Sequence, residues 1–353
     1  MSYRIKAIAA AALSLATLAT AGFAGAADLP LKAAKPVADL PFFLLIDDRV
    51  TFSYQFTATG PGAYTRNADG SIDGKTAKQV YSFTHFDVWA YGTNFFNIDM
   101  LKSDHNDPAT NCSFPGTGCA GATEIYGFFR STFGWNEIFN TKAFSIGPLH
   151  NISFLIGADA NSENNFNAAA KRDVVAGLQF QFDLPYKGFF NVVPEAYKEI
   201  NHSGFLTCGV GGIPDVTCNF SGNTDYPVTW AVATNYYMDL GFLPESVNYF
   251  AISGRAAWYG PKGNQNSPLG PAAGGVATKV ELNAEPIRLT FDASKAFWGP
   301  KYAQFVTTWV AYRYWQNKFG LDHTLSPTCN VSPGVSNHSC TEQSASAGVT
   351  VKF

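Results

Sequence analysis

Between residues 48 and 353 about twelve segments alternate apolar with polar residues at a period of two, separated by clusters of Gly, Pro, Asn and Asp. In the first, Val50, Phe52, Tyr54 and Phe56 alternate with Thr51, Ser53, Gln55 and Thr57. In the sixth, Val174, Ala176, Leu178, Phe180 and Phe182 alternate with a set containing Asp173, Gln179, Gln181 and Asp183. Successive side chains of a strand point to opposite faces, so each segment reads as a strand with one apolar and one polar face. The pattern predicts strands near 48–58, 79–91, 93–104, 123–135, 149–160, 171–183, 188–200, 227–240, 246–259, 277–292, 302–317 and 342–353. The tenth changes phase: Val280, Leu282 and Ala284 share one face, Ile287, Leu289 and Phe291 the other, with Pro286 at the switch. A bulge within one strand accommodates this, and so does a tight turn between two.

Composition decides where such strands belong. Aromatic residues make up 15% of the chain and charged residues only 14%, against about 25% charged in an ordinary soluble domain. From residue 27 onward there is no apolar run near the roughly 20 residues of a spanning helix, so a membrane would be crossed by strands. The predicted connections at 59–78, 104–122, 161–170, 201–226, 260–276 and 318–341 are long and alternate with shorter ones such as 92, 184–187 and 241–245. Long loops outside, short turns inside and an even strand number define the outer-membrane barrel. The expected fold is therefore an all-β, antiparallel transmembrane β-barrel of about twelve strands, in the outer membrane of a Gram-negative cell. The connection at 136–148 is long for a periplasmic turn and implies a small added element. Ala345, Ala347, Val349, Val351 and Phe353 share one face of the last segment. A closing aromatic on an alternating strand is similar to the signal read by the barrel assembly machinery, an expected partner beside the membrane lipid itself.

The ends bound the domain. Arg4 and Lys6 precede an apolar run from Ala7 to Ala21, and Ala24-Gly25-Ala26 offers a small-residue cleavage site, which is the pattern of a secretory signal peptide over 1–26. Residues 27–47 read as a periplasmic arm, with Pro30 and Pro36 ahead of the apolar cluster Phe42–Ile46, which could plug the barrel or lie at its rim. The barrel is placed at 48–353. Loss of residues 1–26 leaves 22 basic against 27 acidic residues and a formal charge of −5, so no nucleic-acid partner is expected.

Six cysteines allow 15 pairings in principle. Short loops close at less entropic cost than long ones, which favours Cys112–Cys119, Cys208–Cys218 and Cys329–Cys340, each within one long connection. Disulfides agree with export. There is no CxxC and the histidines are scattered, so no metal site is expected.

No phosphate loop, nucleophile elbow or HExxH is present, and no cofactor is implied. Asn201-His202-Ser203-Gly204 faintly resembles outer-membrane lipid hydrolases, but His and Ser there are adjacent and would point to opposite faces of a strand. An enzyme is not expected. The functional surface is then the lumen, where the polar face of each strand places Phe83, His85, Asp87, Trp89, Asp99, Glu124, Tyr126, Phe128, Arg130, Asp173, Glu195, Tyr197, Asp239, Arg255, Glu281, Arg288, Trp309 and Arg313. Rings beside acids and bases suit a planar solute; paired inward charges equally suit a filled, rigid interior.

The last third, with YFAISGRAAWYGPKG, FVTTWVAYRYWQNKFG and SAGVTVKF, resembles the nucleoside-specific outer-membrane channel (Tsx-like) family, in which an Arg-Tyr-Trp run, here Arg313-Tyr314-Trp315, precedes a final strand ending in phenylalanine. The resemblance implies a monomeric twelve-stranded barrel passing nucleosides by diffusion; the three cysteine pairs and the long loops depart from it. The expectation is passive diffusion of small solutes, with nucleosides or related aromatic molecules foremost. The alternatives are a structural or surface-interaction barrel with a filled lumen and, behind both, a lipid hydrolase.

Overall fold

The computed structural model describes residues 41–104, 106–108, 121–164, 170–202, 223–262 and 279–353; the segment read as a signal peptide and Cys112, Cys119, Cys208 and Cys218 lie outside them. Twelve strands form the wall: β1 Phe43–Thr59, β2 Lys75–Trp89, β3 Gly92–Ser103, β4 Thr123–Gly134, β5 Leu149–Glu163, β6 Ala170–Leu184, β7 Gly188–His202, β8 Thr229–Asp239, β9 Phe250–Tyr259, β10 Glu281–Asp292, β11 Val306–Gln316 and β12 Thr341–Lys352. Each pairs antiparallel with its neighbour in sequence, and β12 pairs with β1, Thr350 opposite Thr51, so the sheet closes without an edge. Closure satisfies every strand's backbone inside the wall, the condition for crossing hydrocarbon with strands. No helix among the described residues is long and apolar enough to span a membrane.

The two faces separate as the alternation requires. Phe52, Ile156, Val174, Trp230 and Val310 lie on one face and are about half exposed, a surface that only lipid would cover. Their neighbours Ser53, Leu155, Val175, Ala231 and Ala311 are buried on the other. Both described ends of the wall, Phe43 and Lys352, lie at the end with the shorter connections, which is the periplasmic end of an outer-membrane barrel of Gram-negative type.

The strands differ from expectation mainly at their ends. β1 begins at Phe43, so Phe43, Leu45, Ile46 and Asp47 pair with Trp89, Val88, Asp87 and Phe86 instead of ending an arm at residue 47. The apolar cluster is neither plug nor linker: its side chains are exposed, and Phe42 stacks on Trp89 at 5.8 Å on the rim. β9 and β11 start later than expected because Glu245–Val247 and Pro300–Tyr302 form 3-10 turns. The long periplasmic connection contains a one-turn helix, Trp135–Ile138, whose Glu137 accepts from Asn151 Nδ2 at 2.6 Å. β10 is one strand. Its register against β9 shifts between Ser253 and Arg255, and against β11 between Ala284 and Ile287, so Pro286 and Ile287 form a bulge.

On the extracellular side, Cys329 and Cys340 form a disulfide in the connection between β11 and β12. They pack with Phe319 and Leu321 in a small core of their own. Asp322 turns the start of this connection. Burial pushes its carboxyl up, but hydrogen bonds from the Thr324 hydroxyl and amide, with Lys279 beside it, outweigh that and bring it down to about 2.

Candidate functional site: the barrel lumen

Contacts that bridge non-adjacent strands identify the inner face. Lys78 of β2 reaches Glu124 of β4 at 3.2 Å, passing over β3, so both point inward. From Glu124 the register carries the assignment round the ring. Asp99, Tyr126, Phe128, Arg130, Asp173, Glu195, Tyr197, Asp239, Arg255, Glu281, Arg288, Trp309 and Arg313 all fall on the inner face, as the alternation predicts.

Phe83, His85, Asp87 and Trp89 do not. Phe83 pairs with Val50, and His85 with Asp48 and Phe96, on the outer face; the inner face of β2 is Lys78, Val80, Ser82, Thr84, Phe86 and Val88. Within the predicted segment 79–91, His85 and Asp87 share a phase with the aromatics, so the polar-inward rule chose the wrong set. The outward polar groups are satisfied sideways. His85 Nδ1 meets Asp48 at 2.6 Å and Nε2 meets Asp87 at 3.2 Å, Asn94 Nδ2 donates to Asp87 at 2.9 Å, and Ser131 Oγ donates to Asn94 at 2.6 Å. They sit within a few residues of the periplasmic strand ends, among Trp89, Tyr91 and Phe133, where the cost of facing lipid is lowest.

The extracellular half of the lumen is lined by connected ion pairs. Glu342 accepts from Gln55 Nε2 at 2.6 Å, from the Thr59 amide at 3.1 Å and from Lys318. Glu281 accepts from Trp315 Nε1 at 2.8 Å and from Lys262 at 3.2 Å. Lys262 also reaches Glu199 at 2.7 Å, and Glu199 accepts from Tyr197 and Asn201. Lys171 lies 3.4 Å from Asp173 and 3.6 Å from Glu199. Glu199, Glu281 and Lys262 are essentially inaccessible, and charges can be held so only where each has partners. Beneath them Leu155, Val175, Val193, Tyr197, Ala231 and Tyr259 form an apolar cluster on the inner wall.

At mid-height the character changes. Arg130 is tied to Asp159 and lies over the Phe128 ring at 4.1 Å. Arg255 is different: its side chain is exposed and makes no hydrogen bond or ion pair among the described residues. It stands beside Glu285 on β10 and within electrostatic range of Asp99 and Tyr126, which belong to strands on the opposite wall of the ring. The lumen there is narrow enough for the walls to sense each other and open enough to leave a guanidinium in solvent.

Glu199 and Glu285 escaped the sequence reading although they share phase with Glu195 and Glu281; Lys78 lies just before the predicted segment and in the opposite phase to Phe83, and Asp159 lies on β5, from which no residue was chosen. Lys262 and Lys318 lie beyond strand ends, where periodicity carries no signal. Asn201 faces inward and His202 therefore outward; Ser203 and Gly204 lie outside the described residues. No group of acids, histidines and cysteines suited to a metal ion occurs among the described residues.

No protein-family model and no curated protein matches this chain. Among solved structures it is similar to an outer-membrane channel from Pseudomonas putida F1, at 10% identity over 89% of this chain and 97% of the other, TM-score 0.44. It is also similar to the beta domain of the Bordetella autotransporter BrkA, at 9% identity over 87% and 99%, TM-score 0.37, and to Pseudomonas aeruginosa OpdK with vanillate, at 10% identity over 87% and 98%, TM-score 0.33.

Proposed function

We propose that this barrel is a passive outer-membrane channel for small solutes, and that planar, hydrogen-bonding molecules of the nucleoside kind are its preferred class. The supporting observation is Arg255, an exposed guanidinium on the inner face of a closed wall, with Tyr126, whose hydroxyl donates to Asp159 at 3.1 Å, on the opposite wall within electrostatic range. A ring passing between them would meet a π-face, a cation and the amide and carboxylate of Asn97 and Asp99, which are themselves 2.8 Å apart. Such contacts are individually weak and replaceable by water, which is what conduction requires. The resemblance to the Tsx-like family points to the same class of solute.

The refolded protein in a planar bilayer tests this directly, with adenosine, thymidine and a monosaccharide added in turn. The expected result is a discrete conductance interrupted by the nucleosides and not by the sugar. Interruption by neither leaves a general pore and removes the nucleoside preference. A silent bilayer overturns the channel reading in favour of a second one, a structural barrel with a filled lumen. The inaccessible Glu199, Glu281 and Lys262 of the extracellular half favour that second reading.

A further inference from the structure

The bulge in β10 builds a cationic patch. In an unbroken strand, residues three apart face opposite sides, so Glu285 and Arg288 could not both point inward. The extra residue at Pro286–Ile287 reverses the phase, and both do: Glu285 opposite Arg255, Arg288 opposite Ser253 and Ala311. Arg288 thereby joins Arg255 of β9 and Arg313 of β11 on three consecutive strands. Bulges that re-aim a side chain are characteristic of functional positions.

The accessible charge of this region is basic. Arg288 and Arg313 lie with their guanidinium planes over Trp309 and Trp315, at 3.9 and 4.6 Å from the ring centroids. The indoles thus act as platforms for the arginines, which present hydrogen-bonding edges to the lumen. Those edges are not filled. Among the described residues Arg288 uses only Nε, on Glu285 at 2.7 Å; Arg313 reaches Asn283 at 3.5 Å and Glu342 at 3.6 Å, its buried Nε without a hydrogen-bond partner; and Arg255 donates no hydrogen bond. The side chains of Arg288 and Arg313 are 32% and 22% exposed. The acids nearby are withdrawn or engaged: Glu342 is 2% exposed and held by Lys318, Glu285 is held by Arg288, and Asp99 accepts from Asn97 on the far wall.

We infer that Arg255, Arg288 and Arg313 form a binding station for the oxyanion group of a planar solute, so that the lumen prefers anions of that shape over neutral ones. This rests on the channel reading and narrows it. Forked guanidinium donors match the paired oxygens of a carboxylate or phosphate, while Tyr126 opposite Arg255 supplies a face for the attached ring. A carboxylate and a phosphate share this chemistry, so both are probed.

The experiment measures reversal potential in a potassium chloride gradient and block of the current by benzoate, adenosine 5′-monophosphate and adenosine, for wild type, Arg255→Gln and Arg288→Lys. Calorimetric binding of the same three probes to the detergent-refolded proteins runs alongside. Arg255 makes no hydrogen bond or ion pair among the described residues, so its replacement is expected to leave the barrel intact. The expected result is an anion-selective wild type blocked by one or both anionic probes more strongly than by adenosine, with Arg255→Gln weakening anion block about tenfold and lowering the anion preference. Arg288→Lys keeps the charge but loses the fork and should weaken block while leaving selectivity in place. Whichever anion blocks more strongly identifies the group preferred. Cation selectivity, or block by adenosine alone, or an Arg255→Gln channel identical to wild type overturns the inference while the channel stands. If no variant conducts, the channel reading falls; anion binding that Arg255→Gln abolishes still supports the station, and its absence removes it.

Discussion

Glu342 is the group whose removal should be most costly. It lies second in β12, 2% exposed, and it is the anion for Lys318, itself 3% exposed. Its two oxygens also take the Gln55 amide and the Thr59 backbone amide. Replacement by alanine deletes three hydrogen bonds and leaves Lys318 charged, buried and facing the Thr59 carbonyl as its remaining acceptor. Breaking one partner out of a buried ion pair costs about 3–5 kcal/mol, and an orphaned backbone amide adds about 1–3 kcal/mol. Part of that is recovered if water enters from the extracellular mouth, so roughly 4 kcal/mol is expected for Glu342→Ala. Lys318→Met leaves Glu342 its other two donors and Arg313 at 3.6 Å, and should cost less, about 2–3 kcal/mol.

The pair separates ion-pair chemistry from mere packing. In Glu342→Ala/Lys318→Met no charge is stranded between them, so the double variant should be more stable than the sum of the singles by at least about 2 kcal/mol. Equilibrium urea unfolding of the refolded barrel, followed by tryptophan fluorescence and extrapolated linearly, reads all four proteins. A Glu342→Ala cost below about 1 kcal/mol, or additive singles, would refute the claim that this end of the lumen is held by buried, mutually dependent charges.

Two further outcomes follow from the ends of the wall. The Asp322 carboxyl lies at about 2 against an ordinary 3.8. Its stabilisation of the β11–β12 connection is therefore complete above pH 4 and lost as pH falls through 2, a difference worth roughly 2 kcal/mol. Hydrogen exchange at Thr324 and Leu325, whose amides bond its Oδ1, should quicken in wild type relative to Asp322→Asn only across that window, and a constant ratio from pH 5 to 2 would count against the assignment. The Phe353 amide donates to the Asp48 carbonyl at 3.1 Å and its ring lies 6.5 Å from Phe83. Truncation at Lys352 should lower the heat-modifiable, folded fraction in the outer membrane several-fold, and unchanged assembly would sink its reading as an assembly signal.

The wall was legible because its physics is periodic. A strand with one face in lipid and one in the lumen must alternate, so β4, β6, β7, β8 and β11 were placed on the correct face from Val, Phe and Trp against Asn, Asp and Arg alone. β2 failed for a reason of the same kind. His85 and Asp87 sit near the membrane edge, where pairing with Asp48 and Asn94 lets polar residues occupy the outer phase; one strand read alone cannot tell that from a lumen face. The register with β1 can, because Val50 and Phe52 oppose Phe83 and Tyr81. The extracellular ion pairs depend on Lys262 and Lys318, in connections where no period operates, and on Glu199 meeting Lys171 of β6 and Lys262 beyond β9 as well as its own strand's Tyr197 and Asn201. Such convergence is a property of closure, not of any one stretch of sequence.

The phase change in β10 is where sequence and function meet most closely. Val280 to Ala284 and Ile287 to Phe291 cannot both face lipid from one regular strand, and a proline between them cannot donate to a ladder. Two strands would have given an odd count and moved the Cys329–Cys340 connection to the periplasmic end; one bulged strand keeps twelve and turns Arg288 into the lumen beside Glu285. The bulge needs room on the neighbouring strand. Gly254 supplies it: a Cβ there would lie 2.5 Å from the Pro286 carbonyl oxygen and 2.7 Å from the Tyr236 ring. Gly254→Val should therefore do more than destabilise. Because the carbonyl is backbone, relief requires the bulge to shift, which withdraws Arg288 from Trp309. The same reversal-potential assay that reads Arg255→Gln should then show reduced anion preference in a variant whose altered residue faces lipid, and unaltered selectivity would separate the bulge from the patch it is argued to build.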